Sequence, residues 1–377
     1  PARAGMAAAF LMEIRRGTQS ALLVLSGAPV EVSVCADSLE VRSGGNCDAA
    51  ALPAGVSLAP SSCRGLRRLR GDGLHLRMRL RGPPPAAGEG GESLKPNKNY
   101  IFYCQSCGDI VVNDRKFLRV LPLPSENWSD LVEEWCCHPD PFAKRTLHPQ
   151  HGDCFVGDTF LLLNSRNESH LKNTFFILGT IKYYVTEVVI QSADGGFSPT
   201  PRSQFVQSIV AQCLLELSSA KSTFRFTIKG DNGKTYILIW LLNSDTLLVE
   251  SSGSSSSHSD FTLFGDILTP SSGPVGSWNA LKVLYQPCIQ CRNKELSDAW
   301  EDDMGVHPLK FPSETCLELL LILGLSTTSL PPSLRCMNSF QVRNSFLVKT
   351  FFCMLLWKFS AIIEIFQSKH CCRHGKL

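Results

Sequence analysis

Apolar and polar side chains alternate with period two along much of the first hundred residues. The alternation is clearest in ALLVLSG (residues 21–27), VEVSVCADSLEVR (30–42) and LHLRMRLRG (74–82). Because successive side chains of a strand point to opposite faces of a sheet, this pattern predicts β-strands with one buried face. Gly71-Asp72-Gly73 precedes the third segment and predicts a tight turn. Residues 6–82 are therefore predicted to form an N-terminal β-domain.

The second half of the chain mixes helical and strand periods. FVQSIVAQCLLEL (residues 205–217) and SETCLELLLILG (313–324) predict helices, and residues 277–288 predict a strand. Residues 222–244 predict a β-hairpin that turns at Asp231-Asn232-Gly233. The fold class predicted for the whole chain is therefore a β-rich α+β protein, with residues 174–342 forming a C-terminal α+β lobe.

The middle of the chain, residues 100–163, is predicted to be a separate module that carries cysteines, and residues 83–99 have the composition of a linker. Cys104 and Cys107 form a CxxC sequence followed by glycine, a spacing that can present two thiolates to tetrahedral zinc. Further ligands could come from His151 and Cys154, or from Cys288 and Cys291 if that segment folds back. The alternative is a pair of partly buried free thiols. No cofactor is required by this pattern, and structural zinc is the metal that it could hold.

SENWSDLVEEWCCHPDPF, residues 125–142, predicts a helix that ends in a loop locked by prolines. Trp128 and Trp135 lie on one face of this helix, and Pro139 ends it. The residues between are Cys136, Cys137 and His138. One hypothesis is that these three side chains insert into the metal centre of another protein and block a di-zinc hydrolase. The other is that Trp135 and one cysteine pack in the core, and the rest is a turn.

Composition and charge change this picture only slightly. A net charge of +3 in 377 residues is too small to indicate nucleic-acid binding. An early cluster of arginines is interpreted as the solvated face of a hairpin; it consists of Arg64, Arg67, Arg68, Arg70, Arg77, Arg79 and Arg81. Sixteen cysteines without a signal peptide favour reduced thiols in an intracellular protein. Charges interrupt the apolar residues 345–366, so residues 343–377 are interpreted as an atypical hydrophobic tail rather than a membrane anchor.

Several longer strings resemble one known family. They are FYCQSCGD, RVLPLPSENWSDLVEEWCCHPDPF, DCFVGD, FVQSIVAQCLLELSSAKSTFRFTI, YILIWLLNSD, KVLYQPC and TCLELLLIL. Together they look like the HECT-like ubiquitin ligases that bind ubiquitin-conjugating enzymes, also described as cyclin-B-binding proteins. The resemblance covers about residues 6 to 342. It implies that the protein accepts ubiquitin from a conjugating enzyme and transfers it to substrates such as cyclin B for proteasomal degradation, in the cytoplasm and nucleus.

The resemblance also implies a second role, which is to bind the zinc-dependent endonuclease of messenger-RNA 3′-end processing and block its active site. Residues 122–152 match the part associated with this role, which agrees with the insertion hypothesis. The partner-binding residues would then be Trp128, Trp135, Cys136, Cys137, His138 and Pro139. The family pattern also has a second CxxC pair, which residues 164–180 of this chain lack.

Residues 191–213 match the part that the resemblance associates with binding of the conjugating enzyme, and its candidate contacts are Gln191, Phe205 and Cys213. A HECT-like ligase implies a ubiquitin thioester on cysteine. Candidates for the acceptor are Cys213, Cys288 and Cys316. Cys316 is the least favoured, because its apolar helix is expected to bury the thiol. The two functional hypotheses are thus a catalytic ligase and a non-catalytic inhibitor or chaperone of the endonuclease.

Overall fold

The computed structural model describes ten segments of the chain. They are residues 10–25, 31–43, 46–82, 94–123, 148–165, 179–193, 199–251, 275–288, 294–335 and 344–347. These segments form four β-sheets and three α-helices, and the helices all lie after residue 200. The predicted class, a β-rich α+β fold, is confirmed at this level. The division into an N-terminal domain, a middle module and a C-terminal lobe stays a prediction.

The secondary-structure elements are numbered in chain order. The strands are β1 (Phe10–Arg15), β2 (Ser20–Leu25), β3 (Glu31–Val34), β4 (Ser38–Ser43), β5 (Asn46–Ala51), β6 (Leu58–Leu69), β7 (Gly73–Leu80), β8 (Asn99–Cys104), β9 (Ile110–Lys116), β10 (Arg119–Pro122), β11 (Asp153–Val156), β12 (Phe160–Asn164), β13 (Thr180–Tyr184), β14 (Val188–Ser192), β15 (Arg225–Gly230), β16 (Thr235–Ser251), β17 (Val275–Pro287), β18 (Val306–Phe311) and β19 (Asn344–Leu347). The helices are α1 (Arg202–Lys221), α2 (Lys294–Glu301) and α3 (Ser313–Ser329), followed by a 3-10 turn at Pro332–Leu334.

The described residues fall into two compact units. The first contains those within 1–89, 214–308 and 316–355, and the second contains those within 90–213, 309–315 and 356–377. A nine-stranded sheet dominates the first unit. Its main path runs β18-β15-β16-β1-β2-β7-β6, while β17 pairs with β16 and β19 pairs with β17. Strands from the two ends of the chain therefore share one sheet.

The strand β1 joins these two sets of strands. It pairs antiparallel with β2 on one side and with β16 on the other, so that Phe10 lies opposite both Leu25 and Ser251. Met12 and Ile14 face a core that also contains Leu39 of the small sheet β3-β4-β5. On the opposite face, a second cluster includes Leu11, Leu248 and Leu330. Both faces of β1 are covered, which explains why its sequence is almost continuously apolar.

The local predictions for the second half of the chain are confirmed. Residues 205–217 lie within α1, residues 313–324 lie within α3, and residues 277–288 largely coincide with β17. The predicted hairpin is β15 and β16, and the amide of Gly233 donates to the carbonyl of Gly230 at 3.0 Å. Gly233 has a φ of +76°, a left-handed conformation that glycine adopts without steric cost.

The second unit contains two smaller sheets, β14-β8-β9 and β10-β11-β12-β13. Aromatic rings fill its core. The ring centroids of Phe102 and Tyr183 lie 5.9 Å apart in a T-shaped arrangement, and Phe117 packs against both Phe102 and Tyr100. Such pairs add a favourable electrostatic contribution to the burial of apolar area. In the part of the chain that is described, no helix is long and apolar enough to cross a membrane. Residues 348–377, most of the predicted tail, lie outside the described residues.

Candidate active site

Two of the three candidate acceptor cysteines are enclosed by the fold. Cys213 is buried on α1, where its thiol donates a hydrogen bond to the carbonyl of Asp158 at 3.3 Å. Cys316, in the first turn of α3, is fully buried, and its sulfur lies 3.5 Å from the carbonyl of Lys229. The predicted burial of Cys316 is confirmed. In these positions neither thiol is open to a thioester that a second protein carries.

Cys288 differs from these two because it is partly exposed. It follows β17 directly, and its amide donates to the carbonyl of Tyr236 on β16 at 2.8 Å. This hydrogen bond continues the sheet pairing by one residue and fixes the backbone that carries the thiol. The side chain of Ser297, on α2, forms a hydrogen bond with the thiol. Cys288 therefore lies at a sheet end with its sulfur between a rigid strand and a short helix.

The groups around Cys288 shift the pKa of its thiol in opposite directions. Partial burial raises the pKa of the Cys288 thiol, and the hydrogen bond from Ser297 lowers it. Glu301 raises this pKa further because its negative charge disfavours a thiolate, while the ammonium group of Lys234 lowers it. The net direction is upward, so the unliganded protein carries a neutral thiol at neutral pH.

Glu301 is held in place by the hairpin that contains Lys234. The hydroxyl of Thr235 donates to Oε1 of Glu301, and Nζ of Lys229 lies 3.2 Å from Oε2. The hydrogen bond from Thr235 lowers the pKa of Glu301, burial raises it, and Lys229 lowers it. The carboxylate is therefore ionised near Cys288. Nζ of Lys234 lies 5.4 Å from the ring centre of Tyr236, at the exposed end of the same hairpin.

The predicted cysteine knuckle forms a tight turn between β8 and β9. The amide of Gly108 donates to the carbonyl of Cys104 at 2.8 Å, and Gly108 has a φ of +77°. Cys107 is exposed, and its thiol donates to Oδ2 of Asp109 at 3.3 Å. The turn thus presents two thiols at one end of the hairpin, as expected from the CxxC spacing.

Cys154 lies elsewhere in the same unit, on β11 in the aromatic core. Its side chain is fully buried, and burial raises the pKa of the Cys154 thiol to about 12, with Arg115 acting in the opposite direction. Within the ten described segments, no three His, Cys, Asp or Glu side chains are grouped so that they could hold a metal ion. These residues do not supply a zinc set, and the structural zinc stays a prediction.

A polar network that the sequence did not indicate holds the knuckle. Gln105, between the two cysteines, donates from Nε2 to the carbonyl of Thr200 at 3.0 Å. Its Oε1 accepts from Nη1 of Arg202, the first residue of α1, at 3.3 Å. Arg202 also donates from Nη2 to Glu187 at 2.8 Å and to the hydroxyl of Thr315 at 3.1 Å. A glutamine that contacts an arginine 97 residues later has no local signature, so period and spacing could not reveal this network.

The candidate contacts for the conjugating enzyme lie on two elements. Gln191 is on β14, and its Oε1 is buried without a hydrogen-bond partner among the described residues. Phe205 and Cys213 are both on α1, eight residues apart and hence about 80° apart around the helix axis. The other partner-binding candidates lie within residues 124–147, outside the described residues. They are Trp128, Trp135, Cys136, Cys137, His138 and Pro139.

Comparison with known proteins gives a consistent result. Residues 13–342 match the family model described as HECT-like Ubiquitin-conjugating enzyme (E2)-binding. An E3 ubiquitin-protein ligase of Rattus norvegicus is 54% identical over 355 residues, which cover 88% of this chain and 95% of that protein. An E3 ubiquitin-protein ligase of Homo sapiens is 48% identical over 375 residues, with coverages of 88% and 96%. No solved structure matches.

Proposed function

Because the chain belongs to the HECT-like ubiquitin-conjugating enzyme (E2)-binding family and is a ubiquitin-protein ligase, we propose that it carries ubiquitin as a thioester on Cys288. The observation that supports this assignment is exposure. Cys288 is partly exposed, whereas Cys213 and Cys316 are buried. In this proposal the C-terminal lobe, residues 174–342, performs the transfer, and the N-terminal β-domain and the middle module bind partners.

The transfer consists of two substitutions at the same carbonyl carbon. The Cys288 thiolate attacks the thioester between ubiquitin and the conjugating enzyme, a new C–S bond forms, and the enzyme's cysteine leaves as a thiolate. A substrate lysine amine then attacks the thioester on Cys288. An amide bond forms, the amine loses its proton to solvent, and the Cys288 thiolate is released. No oxidant or metal ion is needed in either step.

The raised pKa of Cys288 predicts that the free ligase reacts slowly. Lys234 and Ser297 favour the thiolate, but burial and Glu301 outweigh them. In the reacting complex, Glu301 would need to move away from Cys288, or the conjugating enzyme would need to supply positive charge. Cys288 would then react only in the complex, which protects the thiol from other reagents.

Binding of the conjugating enzyme follows from the family description, and we assign it to β14 and α1. Gln191 and Phe205 provide contacts in this assignment. Cys213 supports α1 from its buried side, where its thiol bonds to the carbonyl of Asp158. Cyclin B as a substrate, proteasomal degradation of the product, and action in the cytoplasm and nucleus belong to the same proposal.

A non-reducing gel of the protein mixed with ubiquitin-charged conjugating enzyme tests the thioester. We expect a ubiquitin adduct that a thiol reductant removes, and that is lost in Cys288→Ala. The matched controls are Cys63→Ala, which removes an exposed cysteine elsewhere, and Cys291→Ala, which removes the nearest cysteine in sequence. An adduct that persists in Cys288→Ala, or that disappears only in Cys291→Ala, would reject Cys288 as the acceptor.

The alternative function is inhibition of the messenger-RNA 3′-end processing endonuclease through Cys136, Cys137 and His138. It stays a prediction from the sequence, because these residues lie outside the described residues. The double variant Cys136→Ser/Cys137→Ser separates the two functions. If both predictions hold, nuclease blocking is lost and the reductant-sensitive adduct on Cys288 remains. Loss of both activities would instead indicate that the two cysteines support folding.

A further inference from the structure

The hairpin formed by β6 and β7 has a strongly basic surface. Seven arginines along it are exposed: Arg64, Arg67, Arg68, Arg70, Arg77, Arg79 and Arg81. We call this set the arginine hairpin. Arg64 lies directly opposite Arg77 in the register of the two strands. Like charges that face each other across a strand pair destabilise it, so this arrangement costs stability in the isolated protein.

These seven arginines differ from several other arginines in having no acidic partner in the described segments. Among the described residues, none of their side chains forms an ion pair or hydrogen bond. By contrast, Arg15, Arg119, Arg202 and Arg225 each bind a carboxylate within 2.8 Å. A guanidinium presents several donors in a planar fork that fits a carboxylate or phosphate. The arginine hairpin therefore offers guanidinium donors that no described residue occupies to a carboxylate or phosphate.

The strand β6 is also open at its outer edge. It is the last strand on the path of the nine-stranded sheet, and in the described segments it pairs only with β7. Its regular pairing with β7 resumes at Arg67 and continues to Leu69, after an irregularity around Gly65. Backbone amides and carbonyls on such an edge can pair with an added strand from another chain. An extended polypeptide could therefore bind to the backbone and to the arginines at the same time.

The hairpin is held rigidly at its turn. Asp72 is buried, and its Oδ1 accepts a hydrogen bond from the amide of Ser333 at 3.1 Å. Nε2 of His75 lies 3.0 Å from Oδ2 of the same carboxylate. Burial raises the pKa of Asp72, but the hydrogen bonds from Ser333 and His75 lower this pKa by more than burial raises it. The carboxylate is therefore ionised. An ordered hairpin loses little conformational entropy on binding, which favours its use as a docking surface.

The composition of the hairpin favours a protein ligand over a single-stranded nucleic acid. Residues 58–81 contain no phenylalanine, tyrosine or tryptophan, the side chains on which unpaired bases stack. Leu66 is 63% exposed and Leu69 is 38% exposed, and both lie between arginines on β6. Exposed leucines can contact apolar side chains of a peptide, but they offer nothing to phosphates.

We propose that the arginine hairpin binds an extended, Asp/Glu-rich segment of a protein that this ligase ubiquitylates, adding it as a strand at the edge of β6. The proposal rests on the proposed ligase function for the identity of the ligand as a substrate. Carboxylates of the segment pair with the arginines, and its backbone pairs with the outer edge of β6. The surface thus selects substrates by charge and by an extended conformation.

The test is fluorescence anisotropy of the full-length protein with a labelled peptide in which glutamate and valine alternate. We expect saturable binding that weakens with added salt, because carboxylate–arginine pairs are screened. The variant Arg64→Glu/Arg67→Glu should weaken binding by more than about tenfold, since each change replaces attraction with repulsion. Arg64→Gln/Arg67→Gln should weaken it less. Lys116→Glu/Lys294→Glu, which changes two exposed lysines elsewhere, is the matched control and should have no effect.

Three results would overturn the proposal. Equal binding of a glutamine–valine peptide would show that carboxylates are not recognised, and equal binding of an N-methylated Glu–Val peptide would exclude pairing with the strand edge. Tighter binding of an RNA oligonucleotide than of the acidic peptide would assign the surface to nucleic acid. The ubiquitin-adduct assay on Cys288 tests the ligase proposal independently of peptide binding. Arg64→Glu/Arg67→Glu should form the adduct normally, which also shows that the variant is folded.

Discussion

Two glutamates, one in each unit, hold polar networks together in different surroundings. Glu13 is on β1, which is buried on both faces, and its side chain is 1% exposed. It accepts from Nζ of Lys282 at 2.8 Å and from Nε of Arg15 at 2.7 Å. Glu187 follows β13 in the second unit, and its side chain is 36% exposed. It accepts from Arg202 at 2.8 Å and from Thr315 at 2.9 Å.

The two networks differ in whether water can reach the carboxylate and replace a lost hydrogen-bond partner. If a donor to Glu187 is removed, solvent can reach the carboxylate and compensate part of the loss. Solvent cannot reach Glu13, so an unpaired charge there remains in a medium of low dielectric constant. Similar bond lengths therefore do not indicate similar contributions to stability. Burial of the carboxylate decides how strongly the fold depends on each network.

The largest expected effect comes from removing the lysine beside Glu13. Lys282→Met should lower the free energy of unfolding by about 3–5 kcal/mol, because it leaves a buried carboxylate without its main partner. Urea unfolding followed by circular dichroism measures this change. The double variant Glu13→Leu/Lys282→Met should recover much of the loss, because it removes the buried charge as well. A double variant that is less stable than the single one would contradict this account.

A smaller effect is expected in the second unit. Arg202→Ala removes the donors to Gln105, Glu187 and Thr315 and should cost about 1–3 kcal/mol, the range for losing partly buried hydrogen bonds to a charged donor. Hydrogen exchange of the amides around Cys104 should increase, since Gln105 is then held only by its other bonds. Arg202→Lys keeps the positive charge without the planar fork and serves as the control. Unchanged exchange in Arg202→Ala would show that the network does not hold the knuckle.

The pH dependence of stability should distinguish Glu13 further. Burial raises the pKa of Glu13, but Lys282 and Arg15 lower it more, so the folded value lies below the ordinary 4.5. Its contribution is therefore fully present above the ordinary value and is lost as pH falls through the folded pKa. The difference in unfolding free energy between the wild type and Glu13→Gln should narrow between pH 7 and pH 3. The effect is milder than that of Lys282→Met because glutamine keeps the shape of the side chain. A constant difference would contradict the lowered pKa.

The smallest effect is expected at an exposed ion pair of the first unit. Nη2 of Arg42 lies 3.9 Å from Oε2 of Glu40, and both side chains are more than a third exposed. Arg42→Ala should change the free energy of unfolding by less than about 0.5 kcal/mol, because water solvates both groups and screens their attraction. Thermal unfolding of Arg42→Ala, measured alongside that of Lys282→Met, compares the two losses of stability. A loss as large as that of Arg202→Ala would mean that burial is not the deciding variable.

Part of the fold follows from local patterns alone. The hairpin at Asp231-Asn232-Gly233, the helices around Phe205 and Cys316, and the turn before β7 were all predictable. In each case the signal and the structure involve residues within a few positions of each other. The pairing of β1 with β16 was not predictable in this way, since Phe10 and Ser251 are opposite each other but far apart in the chain. An alternating pattern specifies which face of a strand is buried, and many strands satisfy the same condition.

The candidate active site, too, was only partly predictable from local sequence patterns. The sequence supplied three cysteines for the thioester and a reason to disfavour Cys316, whose apolar helix indicated burial. It contained no sign that Cys213 is enclosed beside Asp158, or that Ser297, Glu301 and Lys234 surround Cys288. Exposure of a thiol depends on what other elements cover it, and its pKa depends on charges that those elements bring near.

The amino-acid sequence by itself thus determined the fold class, the principal hairpins and helices, and the membership of the family, because periodicity and long shared strings are properties of the chain. The tertiary structure alone decided which strands share a sheet, which of the three candidate thiols is accessible, and that the arginine hairpin, beside the open edge of β6, has no acidic partner among the described residues. These are relations between residues that are distant in the chain. Packing, desolvation and electrostatic attraction act on distance in space, which only the folded structure defines.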